Sequence, residues 1–199
     1  MRLVSSFAIA VLTILVMCCS VQANTAEQSR PTKHAKPVSD QPKAPLHSEQ
    51  PVVPTPVDHA FEGFISLNVD ATDTARKIFW IQQQIPVQHA GLMTLLYPQT
   101  ELASHGPSLN VSNLAGLIIQ ADGHRIKWQR NTISPHAFHL TIPSGTKTLD
   151  VSYQVIAAQD ELMPDTVNLQ WQKLILYPAG WYARNLTYNI NAKIPNGLH

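Results

Sequence analysis

Residues 117–128 read LIIQADGHRIKW and contain the clearest local structural signal in the chain. Asp122 and Gly123 stand between two β-rich runs, and an Asp-Gly pair favours the positive φ angles of a tight hairpin turn. We therefore predict a β-hairpin whose first strand contains residues 117–119 and whose second runs through Ile126 to Trp128.

Outward from this hairpin, apolar and polar residues alternate, which is the period of half-buried strands. The alternating apolar sets are Ile65, Leu67 and Val69; Phe79, Ile81 and Ile85; Phe138, Leu140 and Ile142; Leu149, Val151, Tyr153 and Val155; and Tyr188, Ile190, Ala192 and Ile194. The run 167–177 predicts a further strand, and no segment has a helical period. Eight or nine short strands with turn signals between them predict an all-β fold, an antiparallel β-sandwich over residues 61–195 followed by a tail at 196–199.

Residues 1–23 have the form of a secretory signal peptide. Arg2 precedes an apolar run over residues 3–19, and small residues precede a cleavage position after Ala23. This predicts a periplasmic or secreted protein with no stable membrane span after cleavage. A retained anchor helix and a lipid anchor at Cys18 are the alternatives.

Residues 24–60 form the predicted linker. They contain seven prolines and no aromatic residue, so they offer little apolar surface to offset the entropy of ordering. We expect a disordered, Pro-rich segment between the signal peptide and the sandwich.

The composition argues against several chemistries. The formal net charge of +1 gives no field that would recruit nucleic acid. Both cysteines lie in the first apolar run, which leaves the remaining chain without a thiol nucleophile, a disulfide or a Cys-ligated zinc. No H-E-x-x-H motif is present. We therefore expect no catalytic residue, no metal site and no cofactor.

Several histidines, acids and tryptophans could carry out chemistry, but each is more simply explained as a packing or solvent-exposed residue. His136 and His139 are three residues apart, and such residues face opposite sides of a strand, so the two side chains are not expected to share a metal. The adjacent acids Asp160 and Glu161 are expected to be solvated in a loop.

Carbohydrate stacking on exposed tryptophans stays open, although most tryptophans of a β-sandwich are packing residues. The four tryptophans are Trp80, Trp128, Trp171 and Trp181.

Several short blocks, in order, resemble the N-terminal domain of the glycyl aminopeptidase family, the sixty-first family of metallopeptidases. The blocks are DATDTARKIFWIQQQI (70–85), LLYP (95–98), HGP (105–107), NLAGL (113–117), WQR (128–130), AFH (137–139) and LILYPAG (174–180). The resemblance implies a β-sandwich that, in the family, precedes a thermolysin-like zinc domain and a PDZ domain. This sequence ends at His199, before the zinc domain would begin, so no zinc ligand or catalytic glutamate can be carried over.

Together with the predicted signal peptide, the resemblance implies an exported, noncatalytic module that binds a protein or peptide partner. The alternative is a fragment of a zinc aminopeptidase whose catalytic domain is a separate chain. Candidate partner-binding residues lie in three loops, where Pro and Gly fix the turns and Tyr and His offer polar tips. They are Tyr97, Pro98, His105, Gly106, Pro107, Tyr177, Pro178, Gly180 and Trp181.

Overall fold

A computed structural model describes residues 50–100, 106 and 108–198. The predicted signal peptide and residues 24–49 of the predicted linker lie outside these residues. The strands are β1 (Ile65–Asp73), β2 (Ile78–Pro86), β3 (Gly91–Leu96), β4 (Leu114–Ala121), β5 (His124–Ile126), β6 (Trp128–Arg130), β7 (Ala137–Ile142), β8 (Thr148–Ile156), β9 (Tyr177–Pro178) and β10 (Tyr188–Lys193). The helices are three single 3-10 turns at Val111–Asn113, Trp171–Lys173 and Ala183–Asn185. Within the described ranges, no helix has the length and apolarity needed to cross a membrane.

The strands form two sheets over one hydrophobic core. The order in the six-stranded sheet is β10-β1-β2-β8-β4-β5, and the order in the four-stranded sheet is β6-β7-β3-β9. Alternate residues of both sheets are buried together, among them Leu67, Ile81 and Leu149 from the larger sheet and Leu95 and Phe138 from the smaller. The predicted all-β sandwich is confirmed. One pair departs from the expected antiparallel pattern: β10 is parallel to β1, which is possible because no hairpin joins them and β9, the strand before β10, lies in the other sheet.

The predicted hairpin forms between β4 and β5. Ala121 pairs with His124, which leaves Asp122 and Gly123 as a two-residue turn. Their φ angles are 50° and 77°, the left-handed values that an Asp-Gly turn supplies. The second strand is shorter than expected, since β5 ends at Ile126 and Trp128 begins β6 in the other sheet.

The prediction of a strand over residues 167–177 is wrong. This stretch contains the 3-10 turn Trp171–Lys173, and only Tyr177 at its end lies in a strand. Leu174 and Leu176 are buried, but side chains rather than a strand ladder hold their backbone. The Gln83 side chain donates to Leu176 O (3.1 Å) and accepts from Leu176 N (2.8 Å). The Tyr153 hydroxyl donates to Leu174 O (2.8 Å).

Residues 50–57, which the composition assigns to the linker, contact the sandwich. We call them the N-terminal strap. Asn131 Nδ2, just after β6, donates to Pro51 O (3.2 Å). Val57 N donates to Gly180 O (3.1 Å), just after β9. The strap therefore has contacts beside both edge strands of the four-stranded sheet.

Candidate functional site

Two of the three candidate loops meet at the β9 edge of the four-stranded sheet. Leu95 pairs with Pro178 and Leu96 with Tyr177, so Tyr97 and Pro98, which follow β3, lie beside β9. Gly180 and Trp181 follow in the chain. His105 and Pro107 lie outside the described residues, and Gly106 is half-buried.

Tyr97 and Pro178 are buried at this edge. The Tyr97 hydroxyl donates to Lys173 O (2.9 Å), and its ring stacks on that of His136 with centroids 6.0 Å apart. Tyr97 therefore supports the edge from inside, and its hydroxyl is not the exposed polar tip that the sequence suggests.

A groove of about 470 Å³ lies beside β9, and we call it the β9 groove. Its lining includes Tyr97, Pro98, Ile175, Tyr177, Leu186 and Tyr188. The Tyr188 hydroxyl is buried and has no hydrogen-bond partner among the described residues. Burial, followed by the nearby Tyr177, raises the pKa of Tyr188, so the hydroxyl keeps its proton as a donor. Sequence reasoning missed Tyr188 because its position in β10 marks it only as a strand residue.

A second groove, of about 270 Å³, lies beyond β9 along the chain. Its lining includes Pro54, His89, Leu92, Gly180 and Trp181. Trp181 packs edge-on against His59 and Phe61, with centroids 5.4 and 5.3 Å away. Its Nε1 is buried without an acceptor in the described part of the chain. Pro54, from the strap, already contributes to this groove.

Thr94, His139 and Asn131 form a hydrogen-bonded series of side chains, and Asn131 also contacts the N-terminal strap. His139 Nδ1 is 2.9 Å from Thr94 Oγ1, and His139 Nε2 is 2.9 Å from Asn131 Nδ2. All three residues are buried. Asn131 Oδ1 accepts from the backbone N–H groups of Ile133 and Ser134, both at 2.9 Å, so the Asn131 amide must present its NH₂ group to His139.

That orientation excludes a general-base role for His139 toward Thr94. Nε2 accepts from Asn131, so the neutral ring carries its proton on Nδ1 and donates it to Thr94. A histidine that acts as a base toward a hydroxyl must instead accept the hydroxyl proton on an unprotonated ring nitrogen. His136 has different surroundings, against Tyr97, and among the described residues no group of three His, Cys, Asp or Glu could hold a metal ion.

Glu161 differs from the solvated acid expected from sequence. It is buried, and its carboxylate accepts from Ala158 N (2.8 Å), Lys173 Nζ (2.7 Å) and Gln170 Nε2 (3.2 Å). These bonds tie the 158–161 loop to the 3-10 turn at Trp171–Lys173, which leads into β9. Glu161 therefore stabilises the turn that precedes β9.

The described residues form a β-sandwich with an aromatic groove at one sheet edge. A family model described as the Peptidase M61 N-terminal domain matches residues 66–198. The chain belongs to this family, and the resemblance seen in its sequence is confirmed.

Comparison with solved structures shows the same fold in a larger protein. A crystal structure of an aminopeptidase N family protein from Idiomarina loihiensis matches with a TM-score of 0.54 and 17% sequence identity. The match covers 67% of this chain and 22% of that one, so the chain spans about a fifth of its length. Among curated proteins, none matches the chain.

Proposed function

We propose that the chain is an exported, noncatalytic β-sandwich module that binds a protein or peptide partner through the β9 groove. The observation that carries the proposal is the buried Tyr188 hydroxyl, which has no hydrogen-bond partner among the described residues, in a groove lined by Tyr177, Pro98 and Leu186. Membership in a family named for the N-terminal domain of a peptidase supports a role beside a peptidase or a peptide.

The groove has the composition of a peptide-recognition surface. Such surfaces combine apolar and aromatic walls with few polar groups that fix the ligand's orientation. The Tyr188 hydroxyl is a buried donor without an acceptor among the described residues, which is unfavourable. A peptide carbonyl that displaces the groups covering this hydroxyl would therefore gain a hydrogen bond. β9 also has only two residues in its ladder with β3, which leaves a short strand at the edge of its sheet.

The export part of the proposal rests on residues 1–23. Their charged start, apolar run and small-residue cleavage position predict delivery to the periplasm or the medium. Fractionation of producing cells, with mass determination of the mature N-terminus, tests it. A mature chain that begins at Asn24 supports export, and an uncleaved cytosolic chain contradicts it.

A peptide-display selection on the full chain tests partner binding. The affinity of a selected synthetic peptide would be measured by fluorescence anisotropy for the wild type, Tyr188→Phe and Tyr182→Phe. Tyr188→Phe removes one hydroxyl, and we expect a roughly three- to tenfold weaker affinity from the loss of one hydrogen bond. Tyr182 is 39% exposed and does not line the groove, so Tyr182→Phe is the matched control.

Selected peptides that bind Tyr188→Phe as tightly as the wild type would contradict the assignment of the groove. Failure of a folded chain to select any peptide would contradict peptide binding as such.

The second candidate, a zinc aminopeptidase assembled from two chains, is favoured by the family match alone. A neighbouring reading frame that begins with a zinc-peptidase motif would supply the catalytic chain. Mixing the two chains should then produce release of N-terminal glycine or alanine that neither chain produces by itself. Lack of association between the chains would reject this candidate and leave the β9 groove to other partners.

A further inference from the structure

The outer face of the six-stranded sheet carries seven amide side chains. Because Leu67 and Val69 of β1 and Ile81 of β2 point into the core, the residues between them point outward. The same alternation and pairing place all seven on one surface, which we call the amide face: Asn68, Gln82, Gln84, Gln120, Gln154, Asn189 and Asn191.

Strand register arranges these amides in rows across the sheet. Asn191 lies opposite Asn68, Asn68 opposite Gln82, and Gln82 opposite Ser152. A parallel row runs from Asn189 through Gln84 and Asp150 to Gln120. Neighbouring strands are about 4.8 Å apart, so each row presents polar groups at regular short intervals.

Trp80 lies in the next row, between Asp70 of β1 and Gln154 of β8. The residue is 38% exposed, and its Nε1 donates to Asp73 Oδ2 (3.1 Å). The Arg76 guanidinium lies 5.5 Å from the ring centroid. These contacts fix the orientation of an indole at one end of the amide face.

Charges around Trp80 are neutralised within the domain. Lys193 Nζ lies 3.0 Å from Asp70 Oδ2, and Arg76 lies 2.6 Å from Asp73 Oδ2. Among the described residues, no hydrogen bond occupies the side-chain amides of Gln82 or Gln154. Apart from the Asp150 carboxylate, which accepts from Gln84 Nε2 (3.0 Å), the polar groups between Trp80 and Gln120 are neutral donors and acceptors.

Two shallow depressions join on this face. One, of about 370 Å³, lies between Trp80 and β10, and the other, of about 400 Å³, extends over Gln84 and Ser152 to Gln120. Asn68 and Gln82 line both. Together they form a trough that crosses five strands, from β10 to β4.

We propose that the amide face binds a neutral oligosaccharide or polysaccharide. Each carboxamide both donates and accepts, which matches the paired donor and acceptor character of sugar hydroxyls. The exposed part of Trp80, beside the Arg76 guanidinium that lies over the ring, offers an apolar surface for the C–H face of a sugar ring.

Two further observations favour this occupant. Asparagine is depleted in strands, so Asn68, Asn189 and Asn191 on two adjacent strands oppose local preference, and such conflicts concentrate at functional sites. A protein partner fits less well, because the centres of protein interfaces are apolar and rich in aromatic residues. The trough has one aromatic ring.

Affinity electrophoresis of the full chain tests the proposal, with gels that contain laminarin, xylan, mannan or dextran as neutral probes and alginate as the charged probe. We expect at least one neutral polysaccharide to retard the wild type. Trp80→Ala should weaken that binding about tenfold through loss of stacking, and Gln82→Ala about threefold through loss of a hydrogen bond.

Trp171→Ala is the matched control, because Trp171 is 36% exposed and lies outside the amide face. Tyr188→Phe should also retain binding, which separates this face from the β9 groove. The proposal is overturned if the folded chain is not retarded by any neutral polysaccharide, if only alginate retards it, or if Trp80→Ala binds like the wild type.

Discussion

At the scale of single residues, the fold specifies the protonation state of the His139 side chain. Asn131 directs an N–H group at Nε2 from 2.9 Å, and Thr94 Oγ1 lies 2.9 Å from Nδ1. A second proton on the ring would place two donors against each other in a buried position. Burial accordingly lowers the pKa of His139 below its ordinary value near 6.5.

The pH dependence of stability follows from this lowered pKa. The folded state binds a proton at His139 less readily than the unfolded state does, so the contribution of His139 is present above about pH 6.5 and lost as the pH falls below it. We predict that the difference in unfolding free energy between the wild type and His139→Gln shrinks from about pH 8 to about pH 5. Urea unfolding across that range measures it.

Comparison with His139→Gln removes the contribution of the other histidines, which both proteins share. A difference in unfolding free energy that is constant with pH, or that grows on acidification, would contradict the neutral tautomer assigned here.

At the scale of elements, strands were predictable where local patterns act alone. The Asp122-Gly123 turn and the alternation in β1, β2, β7 and β8 depend on neighbouring residues, and the structure confirms each. The 167–177 segment has comparable apolar content but takes its conformation from distant side chains. β3 was missed because Gly91–Leu96 contains no regular alternation.

Gln83 determines the path of the segment before β9. It is 1% exposed and bonds both the N–H and the C=O of Leu176, and Tyr153 bonds its Oε1 at 2.5 Å. Gln83→Ala would leave the buried N–H and C=O of Leu176 without their partner and create a cavity, whereas the Tyr153 hydroxyl would keep Leu174 O, so we predict a loss of about 2–4 kcal/mol of stability. Urea unfolding measures the loss.

Gln82→Ala is the control for that substitution, because the adjacent side chain points outward in the same strand and should cost at most about 0.5 kcal/mol. Equal effects of the two substitutions would show that the Leu176 backbone is held by something other than Gln83.

The candidate site was less predictable than the fold, because it too depends on contacts between residues that are distant in the sequence. Sequence blocks located Tyr97 and Tyr177 at strand ends, and pairing of β3 with β9 brings them together. The burial of Tyr97 depends on how the two sheets pack together. So does the burial of the Tyr188 hydroxyl, which has no partner in the part of the chain that the structure describes. The amide face likewise depends on the register of β10 against β1, a pairing that a sequence pattern does not define.

At the scale of the whole molecule, the strap extends the folded unit beyond the sandwich boundary inferred from composition. It supplies Pro51 O to Asn131 and Val57 N to Gly180. We predict that a variant beginning at residue 58 is about 1–3 kcal/mol less stable than one beginning at residue 50, because it loses both contacts and uncovers Asn131. Thermal and urea unfolding of the two variants measure this, and equal stability would place residues 50–57 outside the folded unit.

The absence of intrinsic peptidase activity is the prediction that concerns the chain as a whole. Zinc catalysis needs three protein ligands held around one ion and an open position for water. The sequence contains nine histidines but no H-E-x-x-H motif, and in the described residues His139 is committed to Thr94 and Asn131. We therefore expect the full chain, folded and supplied with zinc, to release no N-terminal glycine or alanine from small peptides above a zinc-only blank. Release that a chelator abolishes would show that metal ligands are present among the nine histidines, and would make this module an enzyme in its own right.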